Sequence, residues 1–302
     1  MKVIAFISGK GGTGKTSMVA SFAKVAAPVV AADCDVDAAN LSLLLDGKVE
    51  HTERFMAGQK AHINPDLCTG CDLCYERCRF DAIRPVDTLY EIDQLACEGC
   101  RVCHQACDFD AVELTDNDAG EVQVLAAATG PVVRAALEPA QSNSGKLVTR
   151  VRVLAREESD RHGLDLVLLD GPPGIGCPVH ATLADVDLVV VVTEPTPSGE
   201  HDLARALDLL RKFGRPAQVI INKADLSLTM TERIHKLTET HGGEVIGELP
   251  FVPTVPAALA QRRSLLEDAT LRPLLEALWA RIQGHPALQA ETEPAAAEVM
   301  TK

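Results

Sequence analysis

Positive charge is scarce in this chain of 302 residues: 29 Lys and Arg stand against 43 Asp and Glu, a formal net charge of −14. So acidic a surface offers little to phosphate backbones, which argues against nucleic-acid binding as a main task. Long apolar runs are also missing. Stretches such as 166–169 and 188–192 have the length of a strand, far short of the roughly 18 apolar residues that a membrane span needs. Residues 1–7 carry only a short apolar run before a glycine cluster, without the longer apolar region and cleavage site of a secretory leader. The expectation is a cytoplasmic protein with no direct contact to membrane or nucleic acid.

What the chain has in unusual supply is cysteine, ten in all. A disulfide scaffold compensates for a core too small to hold a domain, and this chain is far too long to need one. Eight of the ten lie between Cys68 and Cys107, while Cys34 and Cys177 stand apart. Such clustering reads as metal ligation in a reducing compartment. Cys34 and Cys177 read as buried, inert thiols.

Outside the cysteine block, strand and helix patterns alternate, which predicts an α/β fold with a parallel sheet and helices on both faces. Strands are expected at 3–7, 29–32, 164–169, 188–193, 218–221 and 244–246. A helix from Lys15 is stopped by Pro28, and Ser198 is placed to cap another whose Leu203, Leu207 and Leu210 form an apolar stripe. A third helix, from about Thr229, ends at Gly242-Gly243, and a last one spans 271–282. The segment 284–302, rich in Ala, Glu and Pro, is expected to be disordered.

Gly9-Lys10-Gly11-Gly12-Thr13-Gly14-Lys15-Thr16 fits the P-loop pattern G-x-x-x-x-G-K-S/T, between a strand and a helix as that pattern requires. The glycines let successive backbone N–H groups converge on an anion at a helix N-terminus. Lys15 would reach the β- and γ-phosphates, and the Thr16 hydroxyl, next to Ser17, would bind Mg²⁺. Lys10, a second lysine inside the loop, resembles the deviant Walker A motif of the MinD/ParA/Mrp ATPase family. Asp33-Cys34-Asp35-Val36-Asp37 is similar to that family's switch I, and Asp170-Gly171-Pro172-Pro173-Gly174 to its Walker B and switch II. The resemblance covers 1–57 and 116–283. It implies a P-loop NTPase sheet and an ATP-sandwich homodimer in which Lys10 crosses to the partner's nucleotide.

Asp170, at the end of a buried strand, is expected to hold Mg²⁺ through water, with Asp33 supporting the metal shell. Asp35 is the candidate for orienting the attacking water, and Asp37 is its competitor. Asn222-Lys223-Ala224-Asp225 follows another strand and could read the base. N-K-x-D also resembles the guanine-reading motif of GTPases. In the MinD-like family an Asn here faces adenine, which favours ATP.

The cysteine block is duplicated. Cys68, Cys71, Cys74 and Cys78 recur as Cys97, Cys100, Cys103 and Cys107, each 29 residues on, and Phe80-Asp81-Ala82-Ile83 recurs as Phe109-Asp110-Ala111-Val112. C-x2-C-x2-C-x3-C is the bacterial ferredoxin spacing, in which three cysteines bind one cluster and the fourth binds the other. Two 4Fe–4S clusters are expected, one on Cys68, Cys71, Cys74 and Cys107, the other on Cys97, Cys100, Cys103 and Cys78. Residues 58–115 would be an inserted ferredoxin-like domain. Two structural zinc sites are the alternative, although zinc modules usually pair C-x2-C units across a longer gap. Arg79 and Asp108 stand where ferredoxins usually carry Pro, and the acidic surroundings point to low potentials. His104, between two ligands, reads as a surface residue.

Three functions follow. The first is an iron–sulfur ATPase in which ATP-driven dimerisation gates electron transfer, or handling of a metal or iron–sulfur cofactor, with an unidentified redox or cofactor-assembly protein. No C-x-x-C pair lies outside the block, which counts against the carrier mechanism of Mrp-type relatives. The second is a MinD- or ParA-like positioning ATPase, recruited by a protein adaptor because residues 271–282 carry only two basic side chains, Arg272 and Arg281. The third, an ATP-dependent amidating or ligating enzyme, lacks a visible Cys–His amidotransferase segment.

Overall fold

Along β1 (Lys2–Ser8) the side chains divide between two cores, Val3, Ala5 and Ile7 entering one and Ile4 and Phe6 the other. That period of two, with both faces apolar, marks a strand inside a sheet covered on both sides. The computed structural model describes residues 1–138 and 144–289. After β1 come α1 (Lys15–Ala26), β2 (Val30–Asp33), α2 (Leu41–Leu44), β3 (Lys48–Ile63), α3 (Leu73–Arg77), β4 (Ile83–Val86), β5 (Leu89–Ile92) and α4 (Val102–Gln105). The chain continues through β6 (Val112–Ala127), β7 (Gly130–Leu137), α5 (Ser144–His162), β8 (Leu166–Pro173), α6 (Cys177–Leu183), β9 (Leu188–Thr193) and α7 (Pro197–Lys212). It closes with β10 (Ala217–Asn222), α8 (Leu228–Thr240), β11 (Glu244–Leu249), α9 (Val255–Ala260), α10 (Leu271–Gln283) and α11 (Pro286–Gln289).

The main sheet runs β11-β10-β9-β1-β8-β2-β7-β6-β3. Neighbours from β11 to β7 are parallel, as expected, whereas β6 is antiparallel to β7 and β3 to β6. The sheet is therefore mixed. One core lies under α5, α7 and α8, and the other under α1 and α10. α10 buries Leu271, Leu275, Leu278, Trp279 and Ile282, so its apolar face is spent on packing. Among the described residues no helix is long and apolar enough to cross a membrane.

β3 and β6 have 16 residues each, roughly 50 Å of extended chain. Only Gly120–Ala127 of β6 also pairs with β7. Beyond that, β6 pairs with β3 alone, down to Val112 against Ile63, as a two-stranded ribbon. At its tip sits the cysteine block, with α3, α4 and the separate β4–β5 hairpin. β3 and β6 continue as strands through residues 58 and 115, with a shift of register between Met56 and Gln59 where Gly58 is left-handed.

Other differences are local. Thr196, not Ser198, caps α7, its Oγ1 accepting from Gly199 N at 3.0 Å. Ser198 Oγ instead faces Lys10. α5 and β7 were not expected from sequence, though Leu147, Val148, Val151, Leu154 and Ala155 form a buried helical stripe. Pro286–Gln289 is helical where disorder was expected, and residues 290–302 of that expectation lie outside the described residues.

Phe22 of α1 stacks between Phe6 at 5.5 Å and Trp279 at 5.6 Å, tying the first strand to the last long helix. Phe22→Ala should therefore cost about 3–5 kcal/mol of unfolding free energy in a urea titration. A loss under about 1 kcal/mol would show that this column does not join the two ends of the chain.

Candidate functional site

The C-terminal ends of β1, β2 and β8 meet at a cleft of about 520 Å³ lined by Gly11–Ser17, Asp35, Asn40, Leu43, Leu44, Leu259 and Arg262, among others. Parallel sheets bind ligands at this edge, and the volume suits a cofactor-sized molecule. Gly14 is left-handed at φ 90°, and a Cβ there would lie 2.5 Å from Asn222 Nδ2, so only glycine fits. α1 begins at Lys15, presenting its N-terminus to the cleft.

Lys15 and Asp170 are both buried and form an ion pair. Asp170 Oδ2 is buried with no hydrogen-bond partner in the structure. An orphaned carboxylate oxygen of this kind fits a site that takes a hydrated cation. Asp33 pairs in register with Asp170 across β2 and β8. Burial first, then the Asp170 charge, push the Asp33 carboxyl up to about 8 against the N–H groups of Leu41 and Asp35 and the charge of Lys15. Asp35 is half-buried in the cleft wall, and burial raises its carboxyl above the usual range. Asp37 is exposed and lines a separate groove with Glu121, Gln123 and Arg134.

Lys10 lies outside the cleft lining. Its ammonium meets Glu194 at 2.6 Å, Ser198 Oγ at 3.0 Å and Thr196 Oγ1 at 3.2 Å. Glu194 also takes Lys223 at 2.8 Å, and Lys223 reaches Gly12 O at 3.3 Å. Burial opposes the Glu194 charge, but hydrogen bonds from Lys10 and Lys223 outweigh it and hold the carboxyl below its usual range. Asn222 braces the loop from behind, donating to Thr13 O at 2.7 Å. Asp225 accepts from Phe251 N at 2.6 Å through Oδ1. Gly9 and Gly171 pack tightly against Asp202 and Phe6 and do not line the cleft.

In the cysteine block the thiols sort into two cavities. Cys68, Cys71, Cys74 and Cys107 line one, and Cys78, Cys97, Cys100 and Cys103 the other. Among the described residues, no group of three or more His, Cys, Asp or Glu converges as the ligands of a single ion would. All ten cysteines are free. Burial pushes Cys103 up to about 11 and Cys74 upward. The core among them is small: Ala61, Ala82, Cys97 and Val112, with Ile63, Ile92 and Leu114 partly buried against it and Ile83 and Ala111 also buried. His104 is exposed, but its Nδ1 lies 2.6 Å from Val112 O. Cys34 is buried and its thiol is pushed up by burial and by Asp33, whereas Cys177 is exposed, contrary to expectation.

Residues 4–265 match the family described as the CobQ/CobB/MinD/ParA nucleotide binding domain. The chain belongs to this family. This member is 36% identical over 269 residues to an uncharacterised protein of Methanocaldococcus jannaschii, covering 88% of this chain and 90% of that one. It is also similar to an iron-sulfur cluster carrier protein of Rickettsia typhi, 30% identical over 113 residues, but over only 36% of this chain and 35% of that one. Two solved structures share the fold. A Cyanothece McdA–ATP complex has TM-score 0.56 and 18% identity, covering 97% of this chain and 98% of that one. MinD of Pyrococcus horikoshii with Mg-ADP has TM-score 0.54 and 16% identity, covering 96% and 99%.

Sequence reasoning passed over Glu194, Leu43, Leu44, Leu259 and Arg262. The signal for Glu194 was its place one residue beyond a fully buried strand beside β1.

Asp33 gives this family member a pH signature. Its carboxyl keeps a proton up to about pH 8 when folded but only to about pH 4 when unfolded, so stability falls as pH rises through that window. In metal-free protein, the native chain should lose more Tm than Asp33→Asn between pH 5 and pH 8.5. Equal losses would contradict the assignment.

Proposed function

We propose that this protein is an iron–sulfur ATPase of the MinD type, in which ATP-dependent homodimerisation and hydrolysis are coupled to electron transfer, or to cofactor handling, with a partner protein. The observation that carries the reading is the sorting of eight thiols into two sets of four, in the crossed order that two 4Fe–4S clusters require, in a chain that also carries a P-loop cleft. Ala111 N donates to Cys107 Sγ at 3.3 Å, an N–H···S bond that stabilises a thiolate. Clusters held there would supply one-electron storage.

On the nucleotide side, Lys15 exchanges Asp170 for the β- and γ-phosphates when ATP enters the cleft. Thr16 Oγ1 and the freed Asp170 carboxylate would hold hydrated Mg²⁺, whose charge would neutralise phosphate. Asp35, in the cleft wall and with its basicity raised by burial, orients the attacking water; Asp37 is outside the cleft. The lysine at position 10 makes the loop a deviant Walker A motif. In the single chain Lys10 is held by Glu194, and in the dimer it leaves that carboxylate for the nucleotide of the partner subunit. ATP favours the closed dimer to the extent that this contact exists only there.

The ribbon offers a contact route between the two centres. Arg134 of β7 donates to Gln123 of β6 at 2.8 Å and to Ser42 of α2 at 3.1 Å, joining the segment after Asp33 to the root of the ribbon.

Two results test the reading on anaerobically purified chain. It should contain about eight iron and eight acid-labile sulfide per chain, the content of two cubanes, and zinc in their place would overturn the cluster assignment. Lys15→Ala should reduce ATP turnover by at least about 100-fold, while Lys10→Ala should abolish ATP-dependent dimerisation. Unchanged turnover and dimerisation in both variants would overturn the ATPase assignment.

Removing the metal should also unmake the module at the ribbon tip, because metal-binding free energy there is folding free energy. Chelation under oxidising conditions should open residues 64–111 to proteolysis and leave the P-loop body resistant. Equal resistance before and after would contradict this dependence.

A further inference from the structure

The cysteine module repeats in space as well as in sequence. Gly99 lies against Gln59 O and Gly70 against Thr88 O, and both pairs are related by the same offset of 29 residues. Asp72 and Arg101, also 29 apart, are each left-handed at φ 66° and each precede a short helix, α3 or α4. Every position around one site thus has a counterpart around the other, and their charges can be compared directly.

They do not match. Lys60 is half-buried and donates to Cys97 O at 2.5 Å and to Gln94 O at 2.9 Å, whereas its counterpart is Leu89. Arg101 lines the cavity of Cys97, and its counterpart beside the other cavity is Asp72, which accepts from Tyr90 at 2.5 Å. The residues that follow the two exchanged cysteines differ in the same sense, Arg79 after Cys78 and Asp108 after Cys107. Two pairs run the opposite way: Glu98 faces the Cys97 cavity where Thr69 faces the other, and Asp93, whose carbonyl accepts from Cys97 N, has the neutral Asn64 at the equivalent place before Cys68. The half-buried Lys60 is screened less than an exposed charge, so its effect is not cancelled by solvent.

We infer that the two sites are electrostatically unequal, and that the one built from Cys78, Cys97, Cys100 and Cys103 accepts an electron first. Positive charge near a cluster favours the reduced form, and negative charge disfavours it. One electron passes from a one-electron donor to that site, the donor is oxidised, and no bond is made or broken. The second electron goes to the Cys68 site at a lower potential. Lys60 and Arg101 are positioning charges, and they set an order between two otherwise repeated centres. This inference rests on the cluster reading above.

An EPR-monitored redox titration of the full anaerobic chain, with dithionite and mediators, tests it. Iron and sulfide content are measured on the same samples, so a protein without clusters is recognised as a failure of the underlying reading. The native chain should titrate in two steps. Lys60→Leu combined with Arg101→Asp, which gives the second site the residues of the first, should lower the higher step and bring the two together. Asp72→Asn, a conservative change that leaves both cavities lined, should raise only the lower step. A single step in the native chain, an unchanged separation in the double variant, or a shift of the higher step by Asp72→Asn would each overturn the inference.

Discussion

Two carboxylates side by side in the interior are the constraint on which the nucleotide site depends. Parallel pairing of β2 and β8 sets Asp33 against Asp170, both fully buried. Leaving such a charge unpaired costs about 3–5 kcal/mol. The structure answers in three ways. Lys15 pairs with Asp170, the Asp33 carboxyl keeps its proton into neutral pH, and backbone N–H groups of Asp35 and Leu41 satisfy its oxygens. Lys15, the lysine of the P-loop, therefore compensates the buried Asp170 from within the chain. In the proposed mechanism, a triphosphate and a divalent cation would replace one compensated arrangement by another.

The second cation of the loop is compensated as well. Glu194 sits between Lys10 and Lys223, and Lys223 also reaches a loop carbonyl. Asn222 fixes the loop from the next strand. The P-loop is thus clamped from β9 and β10 as well as from its own helix, and the lysine proposed to act across a dimer begins in a contact within its own chain. The cysteine module is the opposite case. Its buried residues are few and small, and it hangs from a ribbon whose outer half pairs only with itself. The sheet body is packed on both faces, whereas the cysteine module has only a small core of its own.

Legibility in the sequence followed the range of the interactions. Lys15, Thr16 and the eight clustered cysteines stand at fixed local spacings, so their grouping could be read from the chain. The buried strands at 188–193 and 218–221 announced themselves by continuous apolar runs, because both faces of the sheet are covered. β3 did not, since most of its side chains are exposed and a ribbon wet on both faces has no apolar alternation to show. Glu194, Leu259 and Arg262 reach the site from segments far along the chain, and no local pattern marks them. Ser198 was a reasonable cap, but Pro197 at the first helical position moved that role to Thr196 and left Ser198 to Lys10.

The central claim is that one chain joins a nucleotide switch to an electron store. Its most direct test is ATP turnover measured on the same anaerobic preparation in the oxidised and the dithionite-reduced state, with EPR recording the state of each sample. The account predicts different rates in the two states. Identical rates, with the clusters demonstrably oxidised in one sample and reduced in the other, would contradict it.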